Sequence, residues 1–145
     1  MSILSLPVHS ITDQMSAVLR YTESLCEALE VDFRLYSVKT HRRAAARNNE
    51  DSAWHLRKLQ EIAEDRYNYG YEFVIESGKR YHKVVMVAHG SRSVHCFVDK
   101  VTGDVYKSAS WKAPAKGVRY SLLDATSREK CYATCDWSGG YLYAY

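Results

Sequence analysis

Residues 71–120 read YEFVIESGKRYHKVVMVAHGSRSVHCFVDKVTGDVYKSASWKAPAKGVRY, and this stretch decides the fold class. Glu72 to Glu76 alternates acidic and apolar residues before Ser77-Gly78-Lys79. His82 to His89 is almost wholly apolar before Gly90-Ser91-Arg92. Val94 to Asp99 follows, and after Thr102-Gly103 comes Asp104 to Lys107. Each connection is too short for a parallel crossover, so about four strands joined by glycine-containing turns predict an antiparallel β-meander. Val84, Val85, Met86 and Val87 are apolar on both parities, which fits a central strand covered on both faces or partly by another subunit. Pro114 removes a ladder donor and turns SASWKAPAKG into an ordered loop leaving the sheet, with Val118 to Leu123 as a further edge strand.

Upstream, the periodicity changes. Ser10 with Asp13 resembles a capping box, and Ile11, Met15, Val18, Leu19, Leu25, Cys26 and Leu29 recur at three- and four-residue spacing, predicting a helix to about Glu30. Val31, Phe33 and Leu35 alternate, so Val31 to Thr40 reads as a short strand. HRRAAARNNEDS then reads as a basic helical turn or mobile loop. Ser52 caps a second helix whose buried stripe is Leu56, Leu59, Ile62, Ala63 and Tyr67, closed by Gly70, with His55 packing beside the stripe. Two N-terminal helices packed on a meander give an α+β architecture in a single domain of 145 residues: helical to 67, meander over 71–107, basic Trp/Pro loop over 108–123, Cys/Tyr-rich segment over 124–145.

Composition narrows the setting. Apolar residues at 46% and charged residues at 26% are those of a soluble globular protein. No apolar run approaches the roughly 20 residues that cross a bilayer, so no membrane partner is expected. MSILSLPVHSITDQ lacks a basic leader region, and a cleaved secretory signal is not expected. The four cysteines, Cys26, Cys96, Cys131 and Cys135, are too scattered for a disulfide scaffold and read as thiols.

Charge points to one region. Between Ser77 and Arg119 nine Lys/Arg face two acids, Asp99 and Asp104, in a chain whose overall formal charge is +3. Dense cations are what an anionic partner requires. Lys79, Arg80, Lys83, Lys107, Lys112, Lys116 and Arg119 surround Trp111 in sequence, the mixture single-stranded nucleic acid uses: cations follow phosphates while rings stack on bases. The plainer reading is that Trp111 and Tyr106 plug the open end of the meander while the lysines stay solvated. No helix-turn-helix and no aromatic pattern of a sequence-reading RNA sheet is present.

Other chemistry finds less support. Cys131 and Cys135, with His89, His95 and Cys96, offer metal-ligand types, but zinc asks for four ligands in tetrahedral array and no second Cys pair exists, so no metal or cofactor is expected. His95 and Cys96 are adjacent and should point to opposite faces of a strand, leaving His82 or His89 to approach Cys96 from neighbouring strands. Glu72 and Glu76 on one strand face read as solvated. Phosphate-cradling glycine patterns, a nucleophile elbow and a zincin helix are missing from the sequence. The C-terminal segment SREKCYATCDWSGGYLYAY offers Tyr132, Trp137, Tyr141, Tyr143 and Tyr145 as an aromatic interface.

The run SVHCFVDKVTGDVYKSASWKAPAKGVRYSL, within a match from Tyr71 to Leu123, resembles a segment of small uncharacterised proteins of tailed bacteriophages. The resemblance implies a phage-encoded accessory or virion protein, made in a bacterial host and found in the host cytoplasm or virion. It brings no activity and no catalytic residues. The expected function is a non-enzymatic accessory or assembly protein acting through contacts with a host or phage protein or with itself. The alternative is a weakly sequence-specific nucleic-acid-binding protein using the basic–aromatic face, and a second alternative is a small enzyme with a Cys/His site.

Overall fold

Apolar residues at helical spacing continue past Glu30, and they build one long helix, α1, His9–Ala46. The structure, a computed structural model, describes residues 9–143. Val31 to Thr40 is therefore helix and not strand. Phe33, Ser37 and His41 recur every four residues on the buried side, and Ser37 Oγ donates to the Phe33 carbonyl at 3.0 Å. The alternation of Val31, Phe33 and Leu35 separates an exposed helix face from a buried one. Ser10 lies inside α1, so it does not cap it from outside.

HRRAAARNNEDS finishes α1 and turns into α2, Ser52–Ala63, which runs back along the C-terminal half of α1. Its N-cap is Asp51, while Ser52 Oγ accepts from the Asn49 N–H. The expected buried stripe is only half realised. Leu59, Ile62 and Tyr67 are partly covered, Leu56 and Ala63 are exposed, and no residue of α2 is fully buried. Within the described residues α2 has α1 as its main neighbour, so its remaining sides face outward.

Gly70 makes the entry to the sheet. It sits at φ +71°, and a Cβ there would stand 2.4 Å from the His89 ring, so close approach and handedness both favour glycine. Five antiparallel strands follow in sequential order: β1 Tyr71–Ser77, β2 Tyr81–Ala88, β3 Ser91–Asp99, β4 Asp104–Lys107 and β5 Tyr120–Ser121. The Asp99 carboxylate organises the β3–β4 turn by accepting from the N–H groups of Val101 and Thr102 at 2.9 and 3.0 Å. The α+β meander with N-terminal helices is thus present, with β5 as its edge and a third helix, α3 Ala125–Thr134, capped by Asp124.

One face of the sheet carries the core. Val18, Leu25 and Leu29 of α1 meet Val84, Cys96, Val98 and Val105 of the strands, with Cys131 of α3 and Leu122 and Leu142 closing the sides. The β2–β3 register slips between Val84 and Val85, which pair with Cys96 and Val94, so His95 is an extra residue in a β-bulge. His95 and Cys96 do not diverge as simple alternation predicted. Both reach the core side: the His95 ring stands against Phe73 at 5.3 Å and hydrogen-bonds Tyr141 Oη at 2.7 Å.

Candidate functional site

The opposite face of the sheet is built differently. Lys83, Val85 and Phe97 project there by alternation, yet Val85 and Phe97 are buried. The loop after β4 folds back across this face. A bridge between Ser108 and Pro114 closes it, Ser110 Oγ accepts from the N–H groups of Lys112 and Ala113, and Ser108 Oγ donates to the Val94 carbonyl at 3.3 Å. Pro114 therefore stiffens an ordered loop, as its sequence indicated.

At the tip of this loop, Trp111 remains 42% exposed. Lys83 Nζ lies 4.2 Å from the indole centroid, and the Arg92 guanidinium carbon 5.9 Å. Beside it opens a cleft of about 330 Å³ between the β1–β2 turn and the loop, lined by Lys79, Arg80, Tyr81, Lys83, Phe97 and Lys112 among others. Glu76 is the acid of that lining, and it pairs with Arg92. Arg80 reaches Asp99 at 3.5 Å while its side chain stays largely exposed. Burial works to raise the Asp99 carboxyl, but hydrogen bonds from Thr102, Val101 and Arg80 outweigh it and hold the group below its ordinary value. The Asp99 carboxyl thus stays ionised at neutral pH.

The sequence-derived set divides in space. Lys79, Arg80, Lys83, Trp111 and Lys112 come together around the cleft. Lys107 lies elsewhere, its Nζ 4.7 Å from the Tyr143 centroid, and Lys116 is exposed on the loop's return. Arg119 is a clamp: its Nε donates to the Leu142 carbonyl at 2.6 Å and its guanidinium to the Lys116 and Gly117 carbonyls, fastening the C-terminal segment to the sheet. Sequence reading omitted Arg92, Tyr81 and Phe97 from the site. Tyr81 and Phe97 share the parity of Lys83 on the strands, a signal that could have found them.

The aromatic C-terminal segment is mostly internal. Tyr141 is buried, Tyr132 Oη donates to the Tyr21 carbonyl at 2.6 Å, and Trp137 packs edge-on against Phe33 at 5.3 Å and against Tyr71. Tyr143 is exposed, and Tyr145 lies outside the described residues. Tyr132, Trp137 and Tyr141 of this set thus make their contacts within the chain, Trp137 between α1 and the first strand.

The cysteines sit in the core. Cys96 is completely enclosed, and burial, followed by the neighbouring Cys131, Cys26 and Cys135, raises its thiol far above the ordinary range. Burial likewise pushes Cys26 and Cys131 up to about 12 and Cys135 to about 11. These groups are neutral thiols at physiological pH, the opposite of an activated nucleophile. Among the described residues no three His, Cys, Asp or Glu side chains gather as a metal-holding group, and no helix is long and apolar enough to cross a membrane. His95 is lowered to about 4, chiefly because burial disfavours the imidazolium.

A family model described as a family of unknown function, DUF7717, covers residues 8–144. The chain belongs to the DUF7717 family. No curated protein and no solved structure matches it. The family match takes in both helices of the hairpin, the sheet with its Trp111 loop, and α3.

Proposed function

We propose that this DUF7717 protein is a non-enzymatic binding protein that holds single-stranded nucleic acid on the outer face of its sheet, with little sequence preference. The observation that carries this reading is the half-exposed Trp111, fixed on a proline-stiffened loop beside Lys83 and Arg92 and above a cleft lined by Lys79, Arg80 and Lys112. Cations flanking a fixed ring supply phosphate attraction and base stacking without hydrogen-bond readout. Such binding weakens steeply with salt, because each neutralised phosphate releases a counterion. Oligonucleotide titration at low and moderate salt tests it: affinity should fall by an order of magnitude or more, and equally for different base compositions. Absence of binding at low salt would overturn the reading. The tailed-phage setting, in host cytoplasm or virion, rests on the resemblance of residues 71–123, and proteomic detection of the protein in purified virions or infected cells tests it.

One observation favours a second reading, an accessory or assembly role through protein contacts. The α1–α2 hairpin holds Val31, Leu35, Tyr36, Trp54 and Leu56 on its outside. If this surface binds a host or phage protein, Leu35→Glu should remove that protein from material recovered with the tagged chain out of phage-producing cells, while Trp111→Ala should not. An identical set of recovered proteins in all three samples would exclude it.

A further inference from the structure

The outer side of α1 carries a pattern that its fold leaves uncovered. Val31, Leu35 and Val38 stand at i, i+4 and i+7, the spacing of a seam that packs against another helix. Within one chain Val31 is 44% and Leu35 61% exposed, and Val38 is partly so. Beside this stripe lies a shallow hollow of about 420 Å³ whose lining includes Leu35, Tyr36, Val38 and Trp137.

Charge around the stripe is ordered along the helix. Between Glu23 and Arg47, Glu23, Glu27, Glu30 and Asp32 lie on the N-terminal side of Leu35 and Lys39, Arg42, Arg43 and Arg47 on the C-terminal side, with Arg34 at the centre as the exception. A helix that is acidic before an apolar centre and basic after it complements its own reversed copy. Two α1 helices running antiparallel across a two-fold axis at the middle of the stripe, between Arg34 and Leu35, bring Val31 of one copy against Val38 of the other and Glu27 against Arg42, which continue the stripe four residues before Val31 and four after Val38. Glu27 and Arg42 each lie about 11 Å along the axis from that midpoint, at the helical rise of ~1.5 Å per residue. The same operation sets Asp32 and Lys39 on one flank of the seam. A parallel pairing would instead align acids with acids and bases with bases.

We infer that the Val31–Leu35–Val38 face of α1 is the seam of a two-fold symmetric homodimer, in which antiparallel α1 helices bury the stripe between matched Glu27 and Arg42 at its two ends. A two-fold interface uses one patch on both subunits, so each complementary pair occurs twice. The inference rests on the contact reading of the hairpin and names its partner as a second copy of this chain. It is independent of the Trp111 face, which lies on the far side of the sheet.

Sedimentation or light scattering of the full chain from about 1 to 100 µM, a span covering common dimer affinities, is the test. A two-chain mass at the upper end is expected. Leu35→Glu should give a one-chain mass with an unchanged circular dichroism spectrum, since the side chain is exposed in the monomer. Glu27→Lys and Arg42→Glu should each weaken self-association by about tenfold, two rim pairs being lost per dimer. The combined Glu27→Lys/Arg42→Glu chain should regain most of the loss, a result that mere surface charge change would not produce. A one-chain mass at every concentration would overturn the dimer and leave the contact reading to the recovery experiment. A dimer indifferent to Leu35→Glu, or one that the double reversal fails to restore, would equally overturn this seam.

Discussion

The two halves of α1 carry similar apolar residues on different faces of the helix, and they meet different surroundings. Val18, Leu25 and Leu29 are fully enclosed against the sheet and α3, whereas Val31 and Leu35, within two turns of Leu29, face outward. Spacing therefore shows which stripes of a helix are apolar, and only the rest of the fold decides which of them is covered within the chain. Past Glu30, which accepts from the Phe73 N–H at 3.0 Å, the helix runs beyond the sheet edge and keeps α2 and a few aromatic rings as company. The largest expected effect tests the covered half. Leu29→Ala should cost about 2–5 kcal/mol in urea denaturation, since a rigid core relaxes little around the missing atoms. A loss below about 1 kcal/mol would mean that the core half is as loosely held as the hairpin, and the contrast would disappear.

Histidines sharpen the same contrast by pH. His95, in the body, has its folded value lowered from 6.5 to about 4 by burial. Between those values the unfolded chain binds the extra proton, so stability falls as pH drops through the window and is unaffected above it. The full loss approaches about 3 kcal/mol, from about 1.4 kcal/mol per unit. His82 is lowered by burial and then by Lys100, and His41, in the hairpin, by burial and then by His55 and Lys58, so both add in the same direction. Urea midpoints at pH 7 and pH 4.5 should differ clearly, and His95→Gln should flatten much of the difference. A pH-independent midpoint in the natural chain would mean that His95 is hydrated and the bulge that turns it inward is open.

Legibility in the sequence followed the same division. Strand limits near Ser77, Asp99 and Asp104 could be read because turns have local chemistry: glycine for unusual φ, and an Asp side chain for free N–H groups. The strand reading of Val31 to Thr40 failed because alternation over five residues also fits a helix with one exposed and one buried side, and the burial of Phe33 under Tyr71 and Trp137 comes from distant parts of the chain. The bulge at His95 has no Gly or Pro to announce it. At the candidate site, charge density picked out the right stretch, but chain order could not separate Lys112, which lines the cleft, from Arg119, which binds backbone carbonyls. That division is made by the loop folding back over β3 and β2.

Trp111 is an exposed ring over the sheet as Leu35 is an exposed residue of α1, and a smaller effect tests it. Trp111→Ala should leave urea stability nearly unchanged but weaken binding of a single-stranded oligonucleotide by about five- to a hundredfold, the worth of one stacked base. Lys107→Ala, on the Tyr143 side, should change affinity far less. Equal losses from both would mean that diffuse charge, and not the Trp111 cleft, attracts the strand.

The smallest effect is the most discriminating for α1. At about 1 µM, where a dimer of moderate affinity has dissociated, Leu35→Ala should alter urea stability by no more than about 0.5 kcal/mol, since the side chain leaves no cavity and surface changes away from special features are small. The same substitution at 100 µM should lower the apparent stability further, because association adds to the folded state by mass action and the variant forfeits that addition. A loss of 2 kcal/mol or more in dilute solution would place Leu35 under cover within a single chain, and the two halves of α1 would then be alike. A small loss that stays the same at both concentrations would keep the halves distinct but leave the outer half without a second copy to cover it.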